Sequence, residues 1–243
     1  LEEVVRFEPD LLILWCGNNE FVESRSYAAA GGVRRLVTAV AQTSRLFEIL
    51  LDAVADVIAP APALDADMRE AGVFIFSQLE QLALELRTDP AQFASVVEHY
   101  RFTVDAMAAT AREHGVPLLV MTVPVNLRDW RPNVSHNGVQ GEALERWRAR
   151  FDDGVRRLGA GDAPGAVAAL AEARSLDPAH AETAFAHALA LDAAGRCDDA
   201  RREYVAAKDL DLTPFRAISA LNDVLRDLAR AHEEIAFVDM EQH

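Results

Sequence analysis

P-D-L-L-I-L-W-C-G-N-N-E-F, residues 9–21, decides how this chain reads. Leu11, Leu12, Ile13, Leu14, Trp15 and Cys16 form an apolar run bounded by Asp10 and Gly17. A run of that length predicts a strand covered on both faces in the interior of a parallel sheet. Polar residues then arrive together, Gly17, Asn18, Asn19 and Glu20, at the carboxyl end of that strand. Open α/β sheets bind ligands at that end. Gly17 can adopt backbone angles closed to other residues. The Asn18 and Asn19 amides offer N–H donors to an anionic oxygen. The same two residues also suit a plain turn, because Asn tolerates left-handed geometry and bonds its own backbone.

Working outward, residues 1–7 predict the last turns of a helix, stopped by Pro9. Beyond Phe21 the apolar spacing turns helical, with segments at 33–58, 73–86 and 90–114 interrupted by Ala-Pro-Ala-Pro-Ala at 59–63. Residues 24–88 exceed a simple crossover and read as an insertion, a wall or lid over the site. Residues 116–124, V-P-L-L-V-M-T-V-P, form the second strand, and Pro117 at its start removes no ladder donor from its middle. Asn126, Arg128, Asp129, Trp130, Arg131 and Asn133 follow at its carboxyl end. Arg128 can clamp an anionic substrate group bidentately, or pair with a neighbour and fix the loop. A helix at 215–231 and a third strand at 235–239 close the series.

Between them lies a period. Gly154, Gly161, Ala166, Leu170 and Ala173 are followed 34 residues later by Ala188, Gly195, Ala200, Tyr204 and Ala207, which is the tetratricopeptide spacing. Residues 147–178 and 181–214 therefore resemble two tetratricopeptide repeats, whose bland role is packing and whose functional role is to bind a protein partner. Arg150, Asp153 and Arg157 predict an irregular first helix in the first unit. Asp177-Pro178-Ala179-His180 mimics a catalytic Asp-x-x-His, but it stands at the closing turn of a repeat, which explains it without catalysis.

Gly17, Asn19 and Glu20 are similar to the third conserved block, Gly-x-Asn-Asp/Glu, of the SGNH or GDSL hydrolases. This family comprises serine esterases, lipases and acyl-transfer enzymes. The resemblance implies an α/β fold, part of a flavodoxin-like three-layer α/β/α domain. Core parts would lie at 1–23, 89–137 and 215–243, with the insertion at 24–88 and all-helical tetratricopeptide-like hairpins at 138–214. It gives Asn19 the oxyanion-hole role, with Gly17, Asn18 and Arg128 on the substrate side. Hydrolysis also needs a serine nucleophile and a histidine base. Neither family block is identifiable here, so both are expected outside this chain, and the chain alone is expected to be inactive. The substrate class implied is a small-molecule or glycan-linked ester, with no cofactor required. The alternative reading is a non-enzymatic scaffold that binds a protein through its repeats.

Composition narrows these choices. Among 243 residues, 39 Asp and Glu stand against 24 Lys and Arg, a net charge of −15. That balance argues against a phosphate-tracking surface, so nucleic acid is not the expected partner. No apolar run reaches the length of a membrane span. Cys16 and Cys197 fit neither a disulfide framework nor a thiolate metal motif, which favours a reducing compartment such as the cytoplasm. The chain begins with Leu1 rather than Met, so localisation is otherwise undetermined.

Overall fold

A computed structural model describes residues 1–18, 20–21 and 84–242. Asn19 and most of the expected insertion, including the helices at 33–58 and 73–83, lie outside the described residues. In chain order the elements are α1 (Glu2–Val5), β1 (Leu12–Leu14), α2 (Pro90–Glu113), β2 (Leu118–Met121), α3 (Gly141–Gly159), α4 (Ala163–Leu176), α5 (Ala181–Ala193), α6 (Cys197–Leu210), α7 (Ser219–Ala231) and β3 (Ala236–Val238). They make a mixed α/β domain with a small parallel sheet and several packed helices.

The three strands lie side by side in sequence order, β1-β2-β3, and every pair is parallel. The register sets Ile13 beside Leu119 and Ala236, and Leu14 beside Val120 and Phe237. Strands laid down in one direction by right-handed crossovers place their connecting helices on one face. The burial follows: α2 and α7 pack on each other and on β2, and Leu118 and Val120 are buried.

α2 starts where Asp89 accepts from the N–H groups of Ala91 at 2.8 Å and Gln92 at 3.4 Å, with Pro90 in the first turn. It ends before Gly115, whose φ of +66° suits glycine. Its inward stripe is Val96, Tyr100, Val104, Ala108 and Ala111, spaced by three or four residues. The stripe of α7 is Leu221, Val224, Leu225 and Leu228.

The two-sided burial expected of β1 is not found. Ile13 is 59% and Trp15 60% exposed, while Leu12 is buried. Among the described residues β1 has a strand partner on one side only, β2, and an apolar run does not reveal how many neighbours a strand has.

The 34-residue period appears as two helical hairpins, α3–α4 and α5–α6. Gly161 and Gly195 take φ of +80° and +75° in their respective turns. Within the first hairpin Gly154 lets α3 approach α4, since a Cβ there would lie 2.4 Å from Leu170 Cγ. In the second, Tyr204 stands where Leu170 stood and packs with Ala184, Phe185 and Ala188. α3 runs unbroken, against the irregularity expected from Arg150, Asp153 and Arg157. Arg157 bridges Asp153 and Asp162, and Arg150 pairs with Glu172 of α4, so each charge has a partner and keeps contact with water. Charges that stay wet do not disturb a helix.

A buried ionic network joins the second hairpin to the sheet. Lys208 of α6 is fully buried and donates to Ser219 Oγ at 3.1 Å and Glu241 Oε1 at 3.0 Å. Arg226 of α7 donates to both oxygens of Asp239, at 2.9 and 3.1 Å, and to Glu241 at 2.7 Å. Thr122, just past β2, donates to Asp239 at 2.9 Å and accepts from the Glu241 N–H at 3.1 Å. Each buried charge therefore has its partners, the condition for keeping ions inside a protein.

Candidate functional site

The carboxyl edge of the sheet is assembled around the turn that follows β1. Gly17 is buried with φ of +128°, a conformation that side chains strain against. A Cβ there would come within 3.2 Å of the Tyr100 hydroxyl. That hydroxyl, from the inward stripe of α2, donates to the Cys16 carbonyl at 2.8 Å. Burial pushes the Tyr100 hydroxyl pKa upward, with Cys16 and Glu20 adding to it, so the group remains a donor. Burial also raises the Cys16 thiol, against the lowering effect of its contact with the Tyr100 hydroxyl. The sulfur is held as a thiol and makes a poor nucleophile.

Phe21 anchors the other end of the turn. It is buried and stacked on Phe93 with ring centres 5.6 Å apart, and the Arg87 guanidinium lies 5.5 Å from its ring centre. Arg87 also donates to the Asp211 carbonyl at 3.1 Å and to the Asp209 carbonyl.

Asn18 is exposed, and its Oδ1 accepts from the Ala217 N–H at 3.0 Å. A backbone N–H can only donate, so this contact fixes the amide's orientation and leaves its NH2 as the donor end. Ala217 belongs to residues 211–218, the strap that leads from α6 back to α7. The strap is anchored twice more. Buried Arg216 donates through Nη1 to the carbonyls of Asn126 at 2.9 Å and Trp130 at 2.7 Å, and its guanidinium lies 5.7 Å from the Trp130 ring centre. Burial lowers its pKa, and Asp211 and Asp209 oppose that shift. Buried Asp211 accepts from Asn133 N, Val134 N and Thr213 N at 2.9, 3.2 and 3.1 Å. Burial raises its pKa while these backbone donors pull it down.

At the end of β2, Asn222 of α7 reads both backbone groups of Val123, accepting from its N–H at 2.9 Å and donating to its carbonyl at 3.1 Å. An amide side chain thus takes the place of a neighbouring strand where the ladder stops.

Of the residues singled out in the sequence, Gly17 and Asn18 sit together at this edge, and Asn19 lies outside the described residues. Arg128 is in the loop after β2, but its Nε is 3.0 Å from Asp192 Oδ2 of α5, with its side chain 69% exposed. That geometry supports the loop-fixing role for Arg128. Asp177 and His180 are each used in turn and cap. Asp177 accepts from Asn137 Nδ2 at 3.1 Å and Gly138 N at 3.0 Å. His180 Nδ1 accepts from the Thr183 N–H at 3.2 Å at the start of α5, and Trp147 donates to the Thr183 hydroxyl at 3.1 Å. Nδ1 is therefore unprotonated; burial lowers the ring's pKa against the opposing charge of Asp177.

The sequence reading missed Arg216, Asp211, Arg87 and Asn222. Each works through partners roughly 80 to 130 residues away or at a turn, so no local period marks it. The one available signal was charge in apolar surroundings, as in Pro214-Phe215-Arg216-Ala217-Ile218. Among the described residues no group of three or more His, Cys, Asp or Glu is placed to hold a metal ion, and no helix is long and apolar enough to cross a membrane. No family model, curated protein or solved structure matches this chain.

Proposed function

We propose that this chain carries the oxyanion-donor side of an SGNH-like serine esterase or acyltransferase, acting on a small-molecule or glycan-linked ester. The observation that supports it best is the turn after β1, where Asn18 Oδ1 is fixed by the Ala217 N–H and the amide NH2 remains a donor at the carboxyl edge of the sheet. The strand order adds to it. Three consecutive parallel neighbours match the run 3-4-5 of the flavodoxin-like order 2-1-3-4-5, whose ligand site lies where strand 1 meets strand 3. On that alignment the switch point falls beside β1 and its Gly17-Asn18 turn.

In the reaction a serine hydroxyl adds to the ester carbonyl while a histidine takes its proton. The Asn19 amide, given its role by the family resemblance, donates to the developing oxyanion. One such donor is worth about 3 kcal/mol of transition-state stabilisation. The serine and histidine are supplied from outside these residues. Arg128, paired with Asp192 through Nε, is given the loop-fixing role in this mechanism.

The test is fluorophosphonate labelling of the protein in its full natural reading frame, with mass spectrometry to find the modified residue. A labelled serine outside residues 1–243, with labelling slowed about a hundredfold by Asn19→Ala, is the expected result. Folded protein that takes no label, or a label indifferent to Asn19, overturns the proposal.

A further inference from the structure

The loop after β2 is held by the second hairpin much as a peptide is held by a receptor. Residues 126–138 contain neither helix nor strand, yet their polar contacts follow α5 from end to end. Arg128 Nε lies 3.0 Å from Asp192 near the C-terminus of α5, and Arg131 pairs with Glu182 at its N-terminus. The Ser135 hydroxyl accepts from the Glu182 N–H at 2.9 Å, satisfying an end of α5 that would otherwise lack a partner. Leu127 packs on the apolar cluster of α5 and α6 that contains Phe185, Leu191 and Tyr204.

The main chain of the segment is read as well. Asp211 takes the N–H groups of Asn133 and Val134, Leu212 N donates to the Val134 carbonyl at 3.1 Å, and Asp177 takes the Gly138 N–H. In the second hairpin Glu182 and Asp192 pair with arginines, Asp211 at its end holds two backbone amides, and an apolar socket takes a leucine. This combination gives an extended, basic peptide both affinity and register.

We infer that the α5–α6 hairpin is an extended-peptide receptor whose ligand is the chain's own segment 126–138. The repeats brace the wall of the candidate site, and their α5 surface is closed to an external peptide while that segment is in place. These contacts hold whether or not the protein is a hydrolase. They also occupy the α5 part of the surface on which a scaffold reading would rely.

The test uses the whole chain, the Arg128→Glu/Arg131→Glu variant, and a labelled synthetic peptide with the sequence of residues 126–138. In the variant, amide exchange across 126–138 is expected to accelerate at least tenfold while α5 and α6 keep their protection. The peptide is expected to bind the variant at least tenfold more tightly than the wild-type chain. Adding Glu182→Arg and Asp192→Arg should restore protection and exclude the peptide again. Unchanged exchange in the double variant overturns the inference, and so does loss of α5 protection that the four-fold charge swap fails to restore. Equal peptide binding to the variant and the wild-type chain, or binding to neither, also overturns it.

Discussion

Gly154→Ala, measured with and without Leu170→Ala, tests the helix contact on which the first hairpin depends. A methyl group at 154 would sit 2.4 Å from Leu170 Cγ and 2.9 Å from Cδ2. Carbon atoms in contact prefer about 3.5–4.0 Å. Leu170 is fully buried, and the atom struck is its branch point, so rotating a terminal methyl does not relieve the clash. Overpacking of this kind costs about 1–3 kcal/mol, and a near-complete overlap belongs at about 3. Replacing Gly by Ala inside a helix returns about 1 kcal/mol. The single substitution should therefore destabilise by about 2 kcal/mol.

Leu170→Ala alone should cost about 3 kcal/mol, within the usual range for a buried leucine. On that background the obstruction is gone. Gly154→Ala then gains about 1 kcal/mol of helix propensity and about 0.8 kcal/mol for a methyl placed in the void, so the same substitution should stabilise by about 2 kcal/mol. The sign reverses, with a coupling of about 4 kcal/mol. Urea unfolding followed by far-ultraviolet circular dichroism reads this as midpoint shifts of about 0.7 M in opposite directions, for a slope of about 3 kcal/mol/M. A Gly154→Ala effect of the same sign and size in both backgrounds would refute the packing argument.

Two further substitutions probe how the sheet edge is finished. Asn222→Ala leaves the Val123 N–H and carbonyl buried without their partner; at about 1–3 kcal/mol for each group it should lower stability by about 3 kcal/mol, and a loss under about 1 kcal/mol in the same urea assay would contradict the strand-mimic role. Asp239 is held below the ordinary carboxylate range chiefly by its hydrogen bonds from Arg226, opposed by burial and helped by Thr122. Its folded pKa is depressed, so its stabilisation is present above the unfolded value of about 3.9 and is lost as pH falls through the folded value. Asp239→Asn should be less stable near neutral pH and should flatten the fall in the urea midpoint below about pH 4; wild-type and variant curves that stay parallel there would exclude this contribution.

Among the described residues, the sequence by itself determined the elements and their order. Apolar runs of strand length, the helical spacing over 90–114, and the 34-residue recurrence from Gly154 to Ala188 are local signals, and the three strands, α2 and the two hairpins stand where those signals put them. It also marked Gly17 and Asn18, because a glycine and a polar turn at a strand's end can be read from neighbouring residues. Tertiary structure alone decided the rest. Leu11, Ile13 and Trp15 read as core but face outward, since burial depends on what lies across the sheet. Arg128 had two open roles, and Asp192, 64 residues further on, is the partner it found. Arg216, Asp211 and Asn222 carry no periodic mark, yet they hold the site's loops through backbone groups far away in the chain. A periodic pattern records which side of an element is apolar, whereas the donor or acceptor that meets a given polar group is set by how the elements pack.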